Sequence, residues 1–319
     1  MTPEFSLIAK YFTRPTSRAV LGVGDDCALI RISDGHELAI STDTLAAGTH
    51  FFHDADAEKL GHKALAVNLS DLAAMGAVPR YVTLALTLPS VEENWLAGFA
   101  RGFFSLADRY GVELIGGDTT RGPLSITLAV FGEVPAGSAL RRSGASAGDD
   151  VWVSGSLGGA ALALKHMQST VVLKPNVFDR AAERLHTPVP RVELGLALRG
   201  ITTAAIDVSD GLLADLGHIC ERSQLAATIE WANVPLSPAL LSVGPESRIP
   251  CGLSGGDDYE LCFTAPVSMR SCIDVISSEV AVPLTRIGTM HAGEPRVQVR
   301  DERGATMHIA TAGFDHFSS

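Results

Sequence analysis

Apolar residues recur at three- and four-residue spacing in Phe5, Leu7, Ile8, Tyr11 and Phe12, which predicts a helix opening the chain. Residues 38–40 form a short apolar run ahead of Ser41-Thr42-Asp43 and read as a strand. Residues 57–75 follow a helical pattern without proline. Residues 81–88 alternate apolar side chains with threonine and stop at Pro89, the signature of a strand. Residues 91–110 predict an amphipathic helix, with Trp95, Phe99, Phe103 and Leu106 along one core-facing side. Residues 114–115, 125–131, 151–153, 204–208 and 261–263 read as further strands, and 160–167 as a helix. Gly155 to Gly159 reads as a tight strand-to-helix turn, and Met75 and Cys27 as packed residues.

Strands and helices alternate in both halves, so the class is α/β or α+β. Composition shifts over 133–150, EVPAGSALRRSGASAGDD, to small, polar, glycine-rich linker chemistry. A division into domains 1–137 and 138–319 follows, in keeping with 319 residues. The chain carries 36 acidic and 25 basic side chains, a net charge of −11, which argues against a dedicated nucleic-acid binder. It shows neither a secretory h-region nor an apolar run of membrane-spanning length. Cys27, Cys220, Cys251, Cys262 and Cys272 include no C-x-x-C pair and read as reduced, mostly buried thiols, so the cytoplasm is the expected compartment.

The acids fall in a repeated context. Six times a short apolar run leads through Gly, Ser or Thr to aspartate: at Asp25-Asp26, Asp43, Asp71, Asp118, Asp207 with Asp210, and Asp257-Asp258. A single such aspartate reads as a turn former or helix cap. All six exceed what capping requires, because Ser, Thr or Asn would cap equally well. Carboxylates gathered in one place repel each other unless cations intervene. Hard oxygen donors suit Mg²⁺, which usually coordinates substrate phosphates as well, and this points to ATP. The histidines lack cysteine partners at zinc spacing. No Walker-type glycine–lysine loop, complete dinucleotide fingerprint or nucleophile elbow is present. Metal-borne phosphate binding remains, with the backbone N–H groups of Gly117 and Gly256 and the Arg141-Arg142 pair as helpers.

These residues also carry a resemblance. EFSLI at 4–8, GVGDDCA at 22–28, STDT at 41–44, NLSDLAAMG at 68–76, GGDTT at 116–120, IDVSDGL at 206–212, GGDDYEL at 255–261 and GFDHF at 313–317 follow one another in order. The ordered set resembles the thiamine-monophosphate kinases from end to end. The resemblance implies the two-domain fold of the aminoimidazole ribonucleotide synthetase-like superfamily, whose N-terminal domains pair strands across a homodimer, with ATP and metals between subdomains. It implies direct in-line transfer of the ATP γ-phosphoryl group to thiamine monophosphate, without a catalytic nucleophile or general base. It implies that Asp26, Ser41, Thr42, Asp43, Asp71, Asp118, Asp207 and Asp210 ligate several Mg²⁺ ions. Gly117, Asp118, Arg142 and Ser209 would contact ATP, and His50, Asp257 and Phe314 the substrate. The family commonly has Glu where Asp257 stands here, so the carboxylate reach is one methylene shorter. On this reading Asp26, Asp43, Asp71, Asp118, Asp207 and Asp210 are expected to converge on one polyanion site.

Overall fold

The computed structural model describes residues 3–309 and 313. The chain separates into two units: residues 1–72 with 77–137, and residues 73–76 with 138–319.

The first unit comprises α1 (Pro3–Tyr11), β1 (His36–Ala46), α2 (Ala57–Ala74), β2 (Val78–Leu88), α3 (Glu93–Tyr110), β3 (Glu113–Arg121) and β4 (Ser125–Pro135). Its four strands form one sheet in the order β1-β4-β2-β3, so β1 and β3 are its edges. All pairings are antiparallel except β2 with β3. Burial alternates along β4, as period-2 geometry requires: Ile126, Leu128 and Val130 are buried and their neighbours are not. Leu72 of α2 lies against β4 at Gly132. Phe99 and Phe103 of α3 are fully buried, and Trp95 stacks on Phe99 at 5.2 Å. The aromatic stripe seen in the sequence is therefore core. The opposite sheet face is open, with Ile40 of β1 59% exposed.

The second unit comprises β5 (Asp150–Ser154), α4 (Gly159–Met167), α5 (Pro175–His186), α6 (Val192–Ala197), β6 (Ala204–Asp207), α7 (Leu212–Ser223), β7 (Ala226–Glu230), α8 (Pro238–Leu241), α9 (Pro245–Ser254), β8 (Leu261–Ala265), α10 (Arg270–Glu279), β9 (Leu284–His291) and β10 (Arg296–Arg300). Its six strands are ordered β10-β7-β9-β5-β8-β6, mostly antiparallel, with β10 parallel to β7. Val151, Val153, Ile206, Cys262 and Ile287 pack with Leu212, Leu216 and Ile219 of α7 into one core. A second cluster joins α4, α5 and α8. Both units mix helices with a sheet, which gives the α/β class.

All five cysteines are unpaired, and Cys220, Cys251 and Cys262 are buried. Cys27 is exposed, contrary to the packed position expected of it. The segment around it makes only isolated bridges, Leu21 with Leu29 and Val23 with Asp25, so no sheet covers the thiol. No helix among the described residues is long and apolar enough to cross a membrane.

Candidate active site

In the first unit the oxygen-bearing residues stand on regular elements. Ser41, Thr42 and Asp43 are consecutive on β1, so Ser41 and Asp43 share one face and Thr42 takes the other. Ser41 Oγ donates to Asp71 Oδ2 on α2 at 2.5 Å. The Asp43 N–H donates to Oδ1 of Asn68, about one helical turn before Asp71, at 3.2 Å. Asn68 is buried, and its amide donates to the Ala64 carbonyl at 3.0 Å, so it joins strand to helix. Ser41, Asp43 and Asp71 are thereby neighbours.

The turn positions expected for Asp43, Asp71 and Asp118 are corrected here. Asp43 is mid-strand, Asp71 lies within α2, and Asp118 lies within β3. The low strand preference of aspartate yields where an edge strand leaves its side chain a polar or solvated setting. Asp118 is exposed on the far edge of the sheet. The register runs Asp43, Leu128, Leu84, Gly117 across the four strands, so Asp118, one residue on, is on the face opposite Asp43. Three strand spacings separate these edges by about 14 Å. Gly117 has φ +148°, and a Cβ there would lie 1.8 Å from the Leu84 carbonyl oxygen, so only glycine fits beside Asp118.

Asp26 is exposed, and its N–H donates to the Asp25 carboxylate at 2.8 Å. The chain leading to it is anchored by Glu113, the first residue of β3. That carboxylate accepts the N–H groups of Ser17, Arg18 and Ala19 and the Ser17 hydroxyl, at 2.7–3.2 Å. Burial works to raise its pKa, but these donors hold it below the ordinary value. His50 Nδ1 accepts the Ala46 N–H at 3.0 Å. A neutral ring so held carries its proton on Nε2, which makes that atom a donor.

In the second unit the aspartates lie on two loops that interlock through their backbones. Asp207, buried, ends β6 opposite Leu261 of β8. Beyond it the Val208 N–H donates to the Glu260 carbonyl (2.7 Å), Tyr259 N–H to the Val208 carbonyl (2.8 Å) and Asp257 N–H to the Ser209 carbonyl (2.8 Å). A Cβ at Gly256 would sit 2.3 Å from the Ser209 carbonyl oxygen, so the approach requires glycine. Asp257 and Tyr259 both have positive φ, +69° and +50°, and the Tyr259 hydroxyl donates to Asp257 Oδ1 at 3.0 Å. Backbone strain of this kind concentrates at functional sites. Gly313 packs against the Asp210 carbonyl and Ala214. Phe314, next in the chain, lies outside the described residues. Arg142 is exposed, and its carbonyl accepts the Ser223 hydroxyl at 3.4 Å.

Three buried acids that the sequence reading gave no role hold these loops. Glu260 accepts from Arg191 Nε (2.6 Å), Arg191 Nη2 and Ser154 Oγ (2.6 Å), and Ser154 Oγ in turn accepts the Leu261 N–H at 2.9 Å. Asp258 accepts the Gly158 N–H at 2.7 Å and stands in for a side-chain cap on α4, whose own N-cap is glycine. Burial pushes the Asp258 carboxyl up to about 8, against the pull of the Gly158 and Ala160 N–H groups. With its N–H so engaged, the glycine-rich turn 155–159 is a strand-to-helix turn. Asp215 Oδ2 accepts three successive N–H groups, from Ser209 (3.0 Å), Asp210 (3.1 Å) and Gly211 (3.1 Å). Burial, with the nearby Asp210 charge, lifts Asp215 to about 7. Acid–apolar alternation in Asp258-Tyr259-Glu260-Leu261 would place the acids outward, yet all four residues are buried.

The donors in both units are hard oxygens, whose chemistry fits Mg²⁺. Among the described residues no three His, Cys, Asp or Glu side chains come together as a metal-holding group. The expected single cluster of six aspartates is thus not formed within one of these units. Within the first unit, the sheet itself keeps Asp43 and Asp118 apart.

Residues 24–134 match the family of AIR synthase related proteins, N-terminal domain. This sets the class: a two-unit α/β protein of the AIR synthase-like fold. The chain is 50% identical, over 99% of its length and 98% of the relative's, to thiamine-monophosphate kinase of Escherichia coli (strain K12). It superposes with a TM-score of 0.85 on thiamine-monophosphate kinase from Stenotrophomonas maltophilia K279a, at 45% identity over 95% of this chain and 96% of that one. AaThiL complexed with AMPPCP and TMP superposes with a TM-score of 0.77, at 29% identity and 89% coverage of each chain. The chain belongs to the thiamine-monophosphate kinase family.

Proposed function

We propose that this chain transfers the γ-phosphoryl group of ATP directly to the phosphate of thiamine monophosphate, forming thiamine diphosphate, with several Mg²⁺ ions. Identity to the thiamine-monophosphate kinases along the whole chain carries this reading, and a relative that binds AMPPCP and TMP together supports it. Phosphoryl transfer to a phosphate needs alignment and charge neutralisation more than it needs a base. Bound Mg²⁺ supplies that neutralisation between the ATP tail and the acceptor phosphate. Asp26, Ser41, Thr42, Asp43, Asp71 and Asp118 of the first unit are the ligands we assign to it, with Asp207 and Asp210 of the second. Gly117, Asp118, Arg142 and Ser209 contact ATP in this reading. His50, through its Nε2–H, donates to the substrate phosphate, and Asp257 and Phe314 contact the substrate.

We further assign residues 1–137 to ATP and Mg²⁺ binding and dimerisation. The open sheet face around Ile40 supports pairing with a second copy, and unpaired thiols support a cytoplasmic setting. The test is thiamine diphosphate formation from thiamine monophosphate, ATP and Mg²⁺. Absence of product under conditions where the chain is folded rejects the assignment. A monomer by light scattering at micromolar concentration rejects the dimer.

A further inference from the structure

We propose that Asp215 is a positioning residue for the nucleotide side of the reaction, because it fills the anion position at the start of α7 and so fixes Ser209 and Asp210. The inference rests on the kinase reading above.

Successive N–H groups converging ahead of a helix form an anion cradle, and phosphate-binding loops use that cradle to hold the ligand. Here Ser209, Asp210 and Gly211 converge in this way, but all three N–H groups are taken by one oxygen of the chain's own Asp215. Asp215 is four residues past Gly211, and its own N–H returns to the Gly211 carbonyl at 3.0 Å. Its side chain is 2% exposed, so no ligand displaces it from the surface. The other side of the loop is tied as well: the Val208 N–H and the carbonyls of Val208 and Ser209 pair with the 257–260 segment.

The N–H groups of residues 208–211 are thus all engaged, and what the loop offers an anion is side-chain oxygen. An anion cradle has become a platform that presents Ser209 Oγ and the Asp210 carboxylate. The chemical consequence is a division of labour. Nucleotide phosphate meets this loop through a hydroxyl and through whatever cation Asp210 holds, not through N–H groups. Loss of the Asp215 carboxylate releases three donors at once, and the loop then has no reason to keep one conformation.

The test uses the full-length protein with Asp215→Ala and Asp215→Asn, and Asp150→Asn as a variant of a buried acid at the far end of β5, paired with Arg270. Outer-shell partners of metal ligands cost about 10–100-fold when removed. Asp215→Ala is expected to raise the KM for ATP, and the Kd for AMPPCP with Mg²⁺, by that factor. The KM for thiamine monophosphate should move by a clearly smaller factor. Asp215→Asn keeps an acceptor oxygen without the charge and should fall between Ala and wild type. Hydrogen–deuterium exchange of residues 209–211 in the metal-free protein should accelerate in Asp215→Ala and not in Asp150→Asn. Unchanged AMPPCP affinity in Asp215→Ala overturns the proposal. So does an equal rise of both KM values together with a lowered Tm, which would make Asp215 merely structural. If wild type binds AMPPCP with Mg²⁺ but forms no thiamine diphosphate, the kinase reading fails while the binding contrast between the variants still decides the role of Asp215.

Discussion

Glu113 and Asp215 do the same thing in different units, and their carboxyls respond in opposite directions. Each accepts three consecutive backbone N–H groups and anchors a segment that carries site aspartates, 17–19 ahead of Asp26 in one case and 209–211 in the other. Glu113 is half-buried, its donors outweigh burial, and its pKa falls. Asp215 is buried beside Asp210, burial outweighs the donors, and its pKa rises to about 7. Three N–H donors therefore do not guarantee equal charge stability; burial and the Asp210 charge decide at Asp215, and the added Ser17 hydroxyl helps at Glu113. The wider contrast follows. The first unit shows most of its oxygens on edge strands and a helix, which ladder and helix hydrogen bonds hold in shape, and only Asp26 on a loop anchored by a side chain. The second shows them on loops that need buried acids to stay in shape.

That contrast breaks most visibly at Asp43. Asp43→Ala should lower turnover by about 10²–10³-fold, the scale of losing a charge-stabilising group, while thermal unfolding stays near wild type. A turnover close to wild type removes Asp43 from the ligand set. In the second unit, stability should fail first: Arg191→Ala leaves the buried Glu260 carboxylate without its bidentate partner. Urea unfolding should show a loss of about 3–5 kcal/mol. Glu113→Gln is smaller, about 1–3 kcal/mol, the cost of weakening hydrogen bonds to a charged acceptor.

The two acids should also divide by pH. The folded pKa of Glu113 is depressed, so its contribution is present above the unfolded value and is lost as pH falls through the folded one. Glu113→Gln should flatten the acid limb of the stability curve. The folded pKa of Asp258 is raised to about 8, so its contribution is full below its unfolded value, and rising pH removes it through about 8. Asp258→Asn should flatten the decline of stability between about pH 4 and 8. A decline unchanged in Asp258→Asn assigns the alkaline sensitivity to another group.

Much of the first unit was legible because its elements are long and periodic. The aromatic spacing of α3 and the threonine alternation of β2 mark their buried faces directly. The apolar run 38–40 marks only three of the eleven residues of β1, because Ser41, Thr42 and Asp43 that follow are polar on both faces and look like a turn. The second unit was less legible: β9 carries Thr285, Arg286, Gly288, Thr289 and His291 among its eight residues, β7 and β10 have five each, and α7 and α10 mix polar with apolar positions. The candidate site residues came from ordered motifs. The acids that hold them did not, since a buried aspartate and a surface aspartate are the same letter. Asp215 and Asp258 became distinguishable only when their N–H partners were located.

The placement of Ser41, Thr42 and Asp43 on consecutive positions of β1 bears on how such a chain can change. Substitution along β1 alters one group at a time, but inserting or deleting a single residue upstream within the strand inverts the faces of all three. It would turn Ser41 away from Asp71 and exchange the directions of Thr42 and Asp43. Gains and losses of length should therefore be excluded between His36 and Ala46, where single substitutions act on one group at a time.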